Sequence, residues 1–296
     1  MIGSWEVEQH RQIGQQKIAV LLTCYNRKEK TKTCISSLAA AKERMQQETP
    51  AWNYELEFIV TDDRSTDGTP EALRSLPYQI RLLQGTGQLF WCGGMNYSMD
   101  YVLSQPEPYQ YVMLVNDDVC FYPEALQRML RRLECSGADI VVGSTVDSAG
   151  RMSYGGIKMT SKHFARYQMI EPSEEPVVCD TFNCNCIMMT TDTFCVLGRL
   201  DSAYIHSMGD FDYGMRAAKK GFKIVNCDAH IGECDDNRIE GTWKDTSLSR
   251  RKRLALKEGP KGLPKHDWYH FIRKNYGLLP AWYHSITPYI RILLSK

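Results

Sequence analysis

Residues 111–122 read YVMLVNDDVCFY and combine the pattern of a buried strand with two adjacent carboxylates, Asp117 and Asp118. A short apolar run that ends in polar residues is typical of a strand in a protein core. Neighbouring carboxylates repel each other, so a fold keeps them at a strand end where something offsets their charge. A divalent cation shared with a phosphorylated ligand would do this, because hard cations prefer oxygen ligands. The alternative is a solvated turn that contains Asp-Asp.

Two earlier segments repeat the arrangement of an apolar run followed by polar residues. They read KIAVLLTCYNR at 17–27 and LEFIVTDDRSTDGT at 56–69. A helix is predicted after each, at 28–41 and 71–75, with a polar loop over 44–53. Strand, polar loop and helix form the unit of an open parallel sheet, which binds ligands beyond the carboxyl ends of its strands. The predicted fold class is therefore α/β, with a mostly parallel central sheet and flanking helices.

Residues 85–96, GTGQLFWCGGMN, are rich in glycine and precede a helical pattern at 97–103. Their spacing matches neither a P-loop nor a dinucleotide-binding fingerprint. Glycine here would let the backbone approach a ligand closely, or it would simply form a flexible loop. Both interpretations stay open on spacing alone.

A second acidic cluster lies in the latter half of the chain, around Asp210. A carboxylate near a helix start is favourable in any helix, but at the mouth of a pocket it also suits a general base. Upstream, residues 177–190 form a strand pattern in which Asn183 and Asn185 share a face, either in a core network or against a ligand. Downstream, His230 follows another strand pattern, and a single histidine is more often structural than a ligand.

The composition is that of a soluble globular protein. Of 296 residues, 43% are hydrophobic and 24% charged, and the net charge of +1 leaves no electrostatic footprint for nucleic acid. No stretch approaches the roughly 20 apolar residues that span a bilayer, and the first residues lack a signal-peptide core. The eleven cysteines are scattered through apolar segments without zinc-finger spacing, which favours a reduced cytoplasmic chain without structural zinc.

The last part of the chain, residues 241–296, has a different character. It is basic at 249–257 and aromatic and basic from 268 onward. Such segments suit the surface of a membrane, with aromatic rings at headgroup depth and cations near anionic lipid. The alternatives are helices packed on the catalytic domain, or a contact in a homodimer. The expected organisation is a polar segment at 1–16, a main domain at 17–240 and a helical C-terminal extension at 241–296.

Taken in order, five motifs resemble those of family 2 glycosyltransferases, the inverting enzymes with the GT-A (Rossmann-like) fold. They are the polar segments 23–27 and 62–69, Gly93-Gly94-Met95-Asn96, Asn116-Asp117-Asp118, and Gly209-Asp210-Phe211-Asp212 with Arg216. The likeness covers about residues 17–235 and is greatest to bacterial enzymes of O-antigen and capsular polysaccharide synthesis, including rhamnosyl- and galactosyltransferase-like proteins.

The resemblance implies a role for each motif. Asp210 would be the catalytic base, with Asp212 and Arg216 supporting it, and Asp118 the metal ligand, with His230 as a second candidate. Nucleotide-binding residues would be Thr23, Cys24, Tyr25, Asn26, Arg27, Asp62, Asp63 and Asp117. The donor sugar and diphosphate would lie near Trp91, Gly93, Gly94 and Asn96. The acceptor would contact Asn183, Asn185 and His206.

The chain also departs from the family pattern. Many relatives have Glu-Asp where this chain has Gly209-Asp210, and glycine is common at the position of Cys184. The QxxRW motif is absent, which argues against a processive synthase of the cellulose or hyaluronan kind. His230 does not align cleanly with the downstream histidine that binds metal in some GT-A enzymes.

The resemblance implies a metal-dependent transfer, with Mn²⁺ or Mg²⁺, from a nucleotide sugar to a glycan or a polyprenyl-diphosphate-linked acceptor. A UDP-sugar is the first expectation and a dTDP-sugar the second, with the protein in the cytoplasm or on the inner face of the membrane. Attack at an anomeric carbon needs a carboxylate base, Asp210, and a cation at the leaving diphosphate, near Asp118. Two alternatives remain: a nucleotidyltransferase, and a sugar-nucleotide-binding protein that has lost catalysis.

Overall fold

The computed structural model describes residues 16–105, 109–161, 165–235 and 239–295. The expected N-terminal segment therefore lies outside the described residues, except for Gln16. The strands are β1 (Gln16–Cys24), β2 (Tyr54–Asp62), β3 (Ile80–Gln84), β4 (Tyr111–Val115), β5 (Cys120–Phe121), β6 (Ile140–Val146), β7 (Met152–Tyr154), β8 (Gly156–Met159), β9 (Tyr167–Met169), β10 (Thr181–Phe182), β11 (Cys186–Thr190) and β12 (Ile224–Glu233). The helices are α1 (Lys28–Glu48), α2 (Thr69–Arg74), α3 (Phe90–Leu103), α4 (Ala125–Cys135), α5 (Thr191–Leu197), α6 (Gly209–Lys219), α7 (Arg250–Glu258), α8 (Lys265–Tyr276) and α9 (Leu278–Leu294).

Within the described residues the strands form a central sheet of nine and a smaller sheet of three. The central order is β3-β2-β1-β4-β11-β6-β12-β5, with β7 beside β6, and the small order is β10-β8-β9. The first four strands are parallel, as expected from the repeated strand-loop-helix pattern. Strand β11 runs antiparallel to both of its neighbours, β4 and β6, whereas β12 is parallel to β6. The predicted α/β class is confirmed.

Strand β4, from which the sequence argument began, lies at the middle of this sheet between β1 and β11. All five of its residues are buried, because helices cover both faces of the sheet. One core layer packs α1 and α4 against the sheet through side chains such as Ile35 and Leu130, and the other packs α3 and α6 through Met95 and Tyr213. Asn116, Asp117 and Asp118 follow β4 directly, so the two carboxylates lie at the carboxyl edge of the sheet.

Two segments are partly helical where a loop was predicted or left open. Helix α1 continues to Glu48 where a polar loop over 44–53 was expected. Its last turn is stabilised by buried Met45 and by an Arg44–Glu48 ion pair of 2.8 Å. Helix α3 begins at Phe90, within the glycine-rich segment, so Gly93 and Gly94 are helical. Tertiary packing of α3 on the sheet outweighs the low helix propensity of glycine.

The single strand predicted over 177–190 is also wrong. It is divided into β10, in the small sheet, and β11, in the central sheet, by a turn that carries Asn183, Cys184 and Asn185. The two asparagines therefore do not share one face of a strand. The turn instead sends them toward different parts of the molecule, as described below.

The C-terminal helices pack on the central domain. Phe271 and Ile272 of α8 and Ala281 of α9 belong to the same buried cluster as α3 and α6. The Asp267 carboxylate accepts a hydrogen bond from the backbone N–H of Ile205, at 3.2 Å. Among the described residues, no helix combines the length and apolarity that crossing a bilayer requires. All eleven cysteines lie in the described part of the chain and are free thiols.

Candidate active site

The two adjacent carboxylates after β4 are held by one guanidinium. Arg27, at the start of α1, places one nitrogen 2.8 Å from Asp117 Oδ1 and another 2.7 Å from Asp118 Oδ2. Thr31, one turn along α1, donates to Asp117 Oδ2 at 3.3 Å. The sequence predicted that something must offset this charge pair, and Arg27 does so. The side chain of Arg27 is 40% exposed, so its partners can be exchanged without disturbing the core.

Burial separates the two carboxylates. Asp117 is almost fully buried, and this burial raises its pKa to about 6, although the charge of Arg27 opposes the rise. Asp118 keeps 18% of its side chain exposed, so it is the more accessible member of the pair. Its other oxygen accepts a hydrogen bond from the thiol of Cys234, at 3.4 Å. The sequence analysis missed Cys234, since a single cysteine after a strand carries no recognisable signal.

The polar loop after β1 is fastened to the polar loop after β2. The Asn26 backbone N–H donates to Ser65 Oγ at 2.8 Å, and its side-chain oxygen accepts from the Thr66 N–H at 2.7 Å. Asn26 adopts a left-handed conformation, with φ of 51°, that this exchange requires. At the strand ends, Thr23 donates to the Thr61 carbonyl at 3.2 Å. The ring of Tyr25, which lies between these contacts in the chain, is exposed.

Three aspartates of the second loop have structural partners. Asp62 accepts from the Ser65 N–H at 3.1 Å and lies 3.7 Å from the Cys24 thiol. Buried Asp63 accepts backbone hydrogen bonds from Gly87, Leu89 and Phe90, at 2.6, 2.8 and 3.3 Å. Asp67 receives the Lys28 N–H at 3.1 Å. The bonds to Asp63 set the shape of the loop that precedes α3.

The residues predicted near the donor sugar lie in the first turns of α3. Trp91 donates from its indole nitrogen to the side chain of Asn116, at 2.8 Å, so α3 contacts the segment that carries the two carboxylates. Asn96 exchanges two hydrogen bonds with the backbone of Leu200, at 2.9 and 3.2 Å, and its amide therefore serves the protein itself. A side chain at Gly94 would lie 2.1 Å from Thr23 Oγ1, which explains this glycine by helix-strand packing rather than by a ligand. Gly93 lies beside it, against Leu89.

Asp210 lies in the first turn of α6, as predicted, and is held by backbone donors rather than by a cation. Its oxygens accept from the N–H groups of Phe211, at 2.8 Å, and Cys184, at 3.4 Å. Burial raises the pKa of Asp210 to about 6, while these bonds and the side chain of Asn183 favour the charged form. A carboxyl group with a pKa near neutrality is suited to accept a proton.

The two residues predicted to support Asp210 make contacts that join helix α6 to neighbouring segments. Asp212 is buried and accepts from the Tyr204 hydroxyl at 3.2 Å and from Lys274 of α8 at 2.8 Å. Arg216 donates to the carbonyl of Arg199 and lies over the ring of Tyr213, 5.1 Å from its centroid. Their described partners do not include the Asp210 carboxyl.

One turn, residues 183–185, reaches both acidic regions. Asn183 and Cys184 contact Asp210, as described above. Asn185 is buried and donates to the sulfur of Cys234 at 3.3 Å, and that thiol in turn donates to Asp118. The Asn185 carbonyl also accepts from the Asn116 N–H at 2.9 Å. Asp118 and Asp210, which are distant in sequence, are therefore joined through a single turn at the carboxyl edge of the sheet.

His206 lies in the segment that leads into α6. Burial lowers its pKa to about 4, and the positive charges of Lys261 and Arg27 lower it further, so the imidazole is neutral near pH 7. Its Nδ1 is buried and has no hydrogen-bond partner among the described residues. The resemblance implies a place for His206 on the acceptor side, and this stays a prediction.

Gly209, where many relatives carry glutamate, is explained by its neighbour Cys92. A Cβ at this position would lie 2.6 Å from Cys92 Sγ. The departure from the family pattern therefore reflects close packing between α6 and α3. It does not remove any contact of Asp210.

Of the two candidate metal ligands, Asp118 and His230, only Asp118 can supply oxygen atoms to a metal ion. The described residues include no cluster of three or more His, Cys, Asp or Glu side chains that could hold a metal. His230 pairs with Ser144 at 3.1 Å and lies 3.8 Å from Glu171, so its described partners do not include Asp118. The accessible Asp118 carboxylate still fits a hard cation, because such cations are commonly bound by one or two carboxylates together with substrate phosphates.

A family model described as Glycosyl transferase family 2 matches residues 19–189, which is more than half of the chain. Among curated proteins, an N-acetylglucosaminyl-diphospho-decaprenol L-rhamnosyltransferase of Mycobacterium tuberculosis is 26% identical over 193 residues, in both strains H37Rv and CDC 1551. The alignment covers 56% of this chain and 62% of the relative. The chain thus spans less than two thirds of the curated proteins that it matches.

Solved structures share the fold. The mannosyltransferase PcManGT from Pyrobaculum calidifontis, in complex with GDP-Man and Mn²⁺, superposes with a TM-score of 0.53 over 94% of this chain and 69% of its own, at 14% identity. S. aureus TarS in complex with UDP-GlcNAc gives a TM-score of 0.54 over 93% of this chain and 81% of its own, also at 14% identity. At this identity the likeness shows the fold alone, and it confirms the GT-A fold that the motif order implied.

Proposed function

This chain belongs to glycosyl transferase family 2, and from that premise we propose that it is an inverting enzyme. It would move a sugar from a nucleotide-sugar donor to a hydroxyl group of a glycan or lipid-linked acceptor. The observation that carries the proposal is the turn at residues 183–185, which contacts Asp210 on one side and the Asp118–Cys234 pair on the other. A sugar held at this turn would have one carboxylate on each flank.

In the proposed mechanism, Asp210 takes the proton of the acceptor hydroxyl as its oxygen attacks the anomeric carbon. The new bond forms between that oxygen and the carbon, while the bond from the carbon to the diphosphate oxygen breaks on the opposite face. The leaving group is a nucleoside diphosphate. The raised pKa of Asp210 suits it to accept the proton, and the backbone N–H groups of Phe211 and Cys184 fix the direction of its oxygens.

Asp118 would hold a divalent cation, Mn²⁺ or Mg²⁺, together with the donor diphosphate. When bound, such a cation neutralises the negative charge that develops on the leaving group. Arg27 currently neutralises the same carboxylates, so it must turn away or share them when the ligand arrives. A guanidinium released beside a diphosphate would form charge-assisted hydrogen bonds with it. His230 is not favoured as a ligand, since its contacts lie with Ser144 and Glu171.

The nucleoside of the donor would lie over the fastened loops after β1 and β2. The exposed ring of Tyr25 suits contact with the base, and the buried Asp117 and Asp63 would shape the ribose side. A uridine nucleotide is the first expectation and a deoxythymidine nucleotide the second. The related protein of M. tuberculosis is named a rhamnosyltransferase, and S. aureus TarS was solved with UDP-GlcNAc.

The acceptor would be a sugar joined to a lipid through a diphosphate, which is the kind of acceptor that the name of the M. tuberculosis relative states. Helix α9 offers a surface for it at a membrane. One face of this helix is exposed and apolar, with Leu279 83% and Trp282 70% exposed, followed by Ile286, Ile290 and Leu293 at helical spacing. Helix α7, which contacts α9, carries exposed basic side chains, as anionic lipid would require.

Liposome flotation tests this membrane contact. Trp282→Glu on the exposed face of α9 should cut binding of the protein to anionic vesicles at least fivefold, because it places a charge where the ring would be buried. Val196→Glu, at another exposed apolar position on α5, is the matched control and should bind normally. If the wild-type protein does not float with vesicles of phosphatidylglycerol, the membrane proposal fails.

A panel of nucleotide sugars, scored by release of nucleoside diphosphate, tests the main proposal. With MnCl₂ and a short synthetic sugar-diphosphate-lipid acceptor, we expect release from one donor and loss of release in chelator. Release of pyrophosphate from a nucleoside triphosphate and a sugar phosphate would instead identify a nucleotidyltransferase. If no donor in the panel is turned over while nucleotide sugars still bind, the protein is a sugar-nucleotide-binding protein without catalysis.

A further inference from the structure

A large cavity separates the C-terminal helices from the segment that carries Asp210. Its volume is about 1220 Å³, which exceeds the roughly 300–1,000 Å³ of ordinary small-molecule pockets. Its floor includes His206, Ser207, Met208 and Phe211, on both sides of Asp210 in the chain. The C-terminal wall is joined to this floor, since Ser207 donates to the Gly262 carbonyl at 3.0 Å. Asp210 itself does not line the cavity, but residues that precede and follow it in the chain do.

The cavity lining combines apolar surface with positive charge. Trp243, Leu256 and Trp268 contribute apolar surface, and none of the described residues that line the cavity is an aspartate or a glutamate. Four cations do line it, namely Arg166, Lys244, Lys261 and Arg291. Such a lining matches an anionic molecule with an apolar part, because a phosphate would find cations and, among the described residues that line the cavity, no opposing carboxylate.

The cavity also reaches the helix with the exposed apolar face. Tyr283, Thr287 and Arg291 of α9 line the cavity at a spacing of one helical turn. The exposed positions Trp282, Ile286 and Ile290 precede them by one residue each, so they lie on the adjoining face of the helix. A chain that left the cavity past Arg291 would continue along apolar surface.

We propose that this cavity binds the isoprenoid diphosphate portion of the acceptor. The diphosphate would meet Lys261 and Arg291, the first isoprene units would lie on Trp243, Leu256 and Trp268, and the sugar would extend past His206 toward Asp210. The inference rests on the proposed function for the presence of a sugar. The binding of an isoprenoid diphosphate, however, can be measured separately from transfer.

Calorimetric titration of the full-length protein with farnesyl diphosphate, a short soluble isoprenoid diphosphate, tests the inference. Lys261→Glu should weaken binding at least tenfold because it replaces attraction with repulsion. Leu256→Trp should weaken it at least fivefold by filling the cavity. Arg251→Glu makes the same charge change on an exposed side chain of α7 that does not line the cavity, and should stay within twofold of wild type. Unfolding curves of each variant verify that it is folded.

Two further ligands test whether the cavity requires the diphosphate and whether it also accepts an ordinary anionic phospholipid. Farnesol, which lacks the diphosphate, should bind at least tenfold more weakly than farnesyl diphosphate, and dihexanoyl phosphatidylglycerol should not displace it. Equal binding of farnesyl diphosphate by wild type, Lys261→Glu and Leu256→Trp would overturn the inference, as would no measurable binding. Displacement by the phospholipid at equal concentration would also overturn it, since the cavity would then accept any anionic lipid.

Nucleoside diphosphate release, measured on the same preparations, distinguishes the two proposals. Farnesyl diphosphate bound in the cavity without release from any nucleotide sugar would retain the binding site and reject the transferase. Suppose instead that, with a lipid-linked acceptor, nucleoside diphosphate is released equally fast by wild type and by Leu256→Trp. That result would retain the transferase and reject the cavity as its acceptor site.

Discussion

The two acidic regions at the carboxyl edge of the sheet are built differently. Asp117 and Asp118 are neutralised by a cation of the protein itself, since Arg27 lies within 2.8 Å of both. Asp210 has no such partner in the part of the chain that the structure describes, and it is held by the backbone N–H groups of Phe211 and Cys184. The first region can exchange one cation for another. The second can exchange a proton, because burial raises the pKa of Asp210 to about 6.

This difference fits the two roles proposed above for the acidic regions. A carboxylate pair with an exchangeable cation suits an anionic leaving group, which brings or attracts positive charge. A carboxyl group that titrates near neutrality suits proton transfer from a hydroxyl. The turn at 183–185 keeps the two together, so variants on either side should produce separable effects.

The largest effect is expected from Asp210→Asn, which removes the base and keeps the shape. Transfer should fall by about 10²–10⁴, the usual contribution of a general base. Nucleotide binding should stay within twofold of wild type, because Arg27 and Asp118 are untouched. Initial rates of diphosphate release and calorimetric titration with nucleotide measure the two quantities. Asp192→Asn on the surface of α5 is the control, and a loss of nucleotide binding with transfer retained would reverse the assignment.

The pH profile should show the same carboxylate. Asp210 must be deprotonated to act as base, so kcat/KM should decline as the pH falls through about 6. Since the deprotonated fraction falls about tenfold per unit below the pKa, we expect roughly a thirtyfold loss at pH 4.5 relative to the plateau. Circular dichroism at each pH excludes unfolding. A flat profile from pH 7.5 to 4.5 would show that no group with this pKa limits the reaction.

The opposite region is tested by Arg27→Ala, compared with Arg27→Lys. Without the guanidinium, the carboxylates of Asp117 and Asp118 lose the positive charge that pairs with them. The midpoint of thermal unfolding should therefore fall, and added MnCl₂ should restore it. Affinity for Mn²⁺ in the absence of nucleotide should rise about tenfold, because the ion no longer competes with Arg27. Paramagnetic resonance of free Mn²⁺ measures this affinity. If the variant binds Mn²⁺ no better than wild type, Arg27 does not block the site.

The smallest effect should come from Gly209→Ala, at the start of α6. Its Cβ would lie 2.6 Å from Cys92 Sγ, so we expect a loss of about 1–3 kcal/mol in the free energy of unfolding. Cys92→Ala removes the sulfur, and the double variant should recover most of that loss. Denaturant titration of the four proteins measures the coupling. Additive losses would show that the two residues do not compete for space.

The sequence was sufficient to predict an element where an apolar run ends in polar residues. The buried run before Asn116 predicted the central strand, and the position of Asp210 near a helix start was also confirmed. These signals are local, since a short apolar run and a helix start are recognisable without knowledge of their partners.

The sequence failed where tertiary packing overrides local preference. Gly93 and Gly94 favour a loop, yet the close contact of Gly94 with Thr23 places them in a helix. The segment 177–190 has the composition of one strand, but its middle is a turn whose partners, Asp210 and Cys234, lie far away in the chain. The cavity that Lys261 lines forms where the C-terminal helices approach the rest of the protein. No local sequence pattern predicts that approach.

The most direct test of the account is a crystal structure of the Asp210→Asn variant with Mn²⁺ and the intact donor identified by the panel. The account predicts that an Asp118 oxygen contacts the ion, that Arg27 has left at least one carboxylate, and that the residue 210 side chain faces the anomeric carbon from the side opposite the diphosphate. A donor sugar that points away from residue 210, or an ion bound without Asp118, would contradict it.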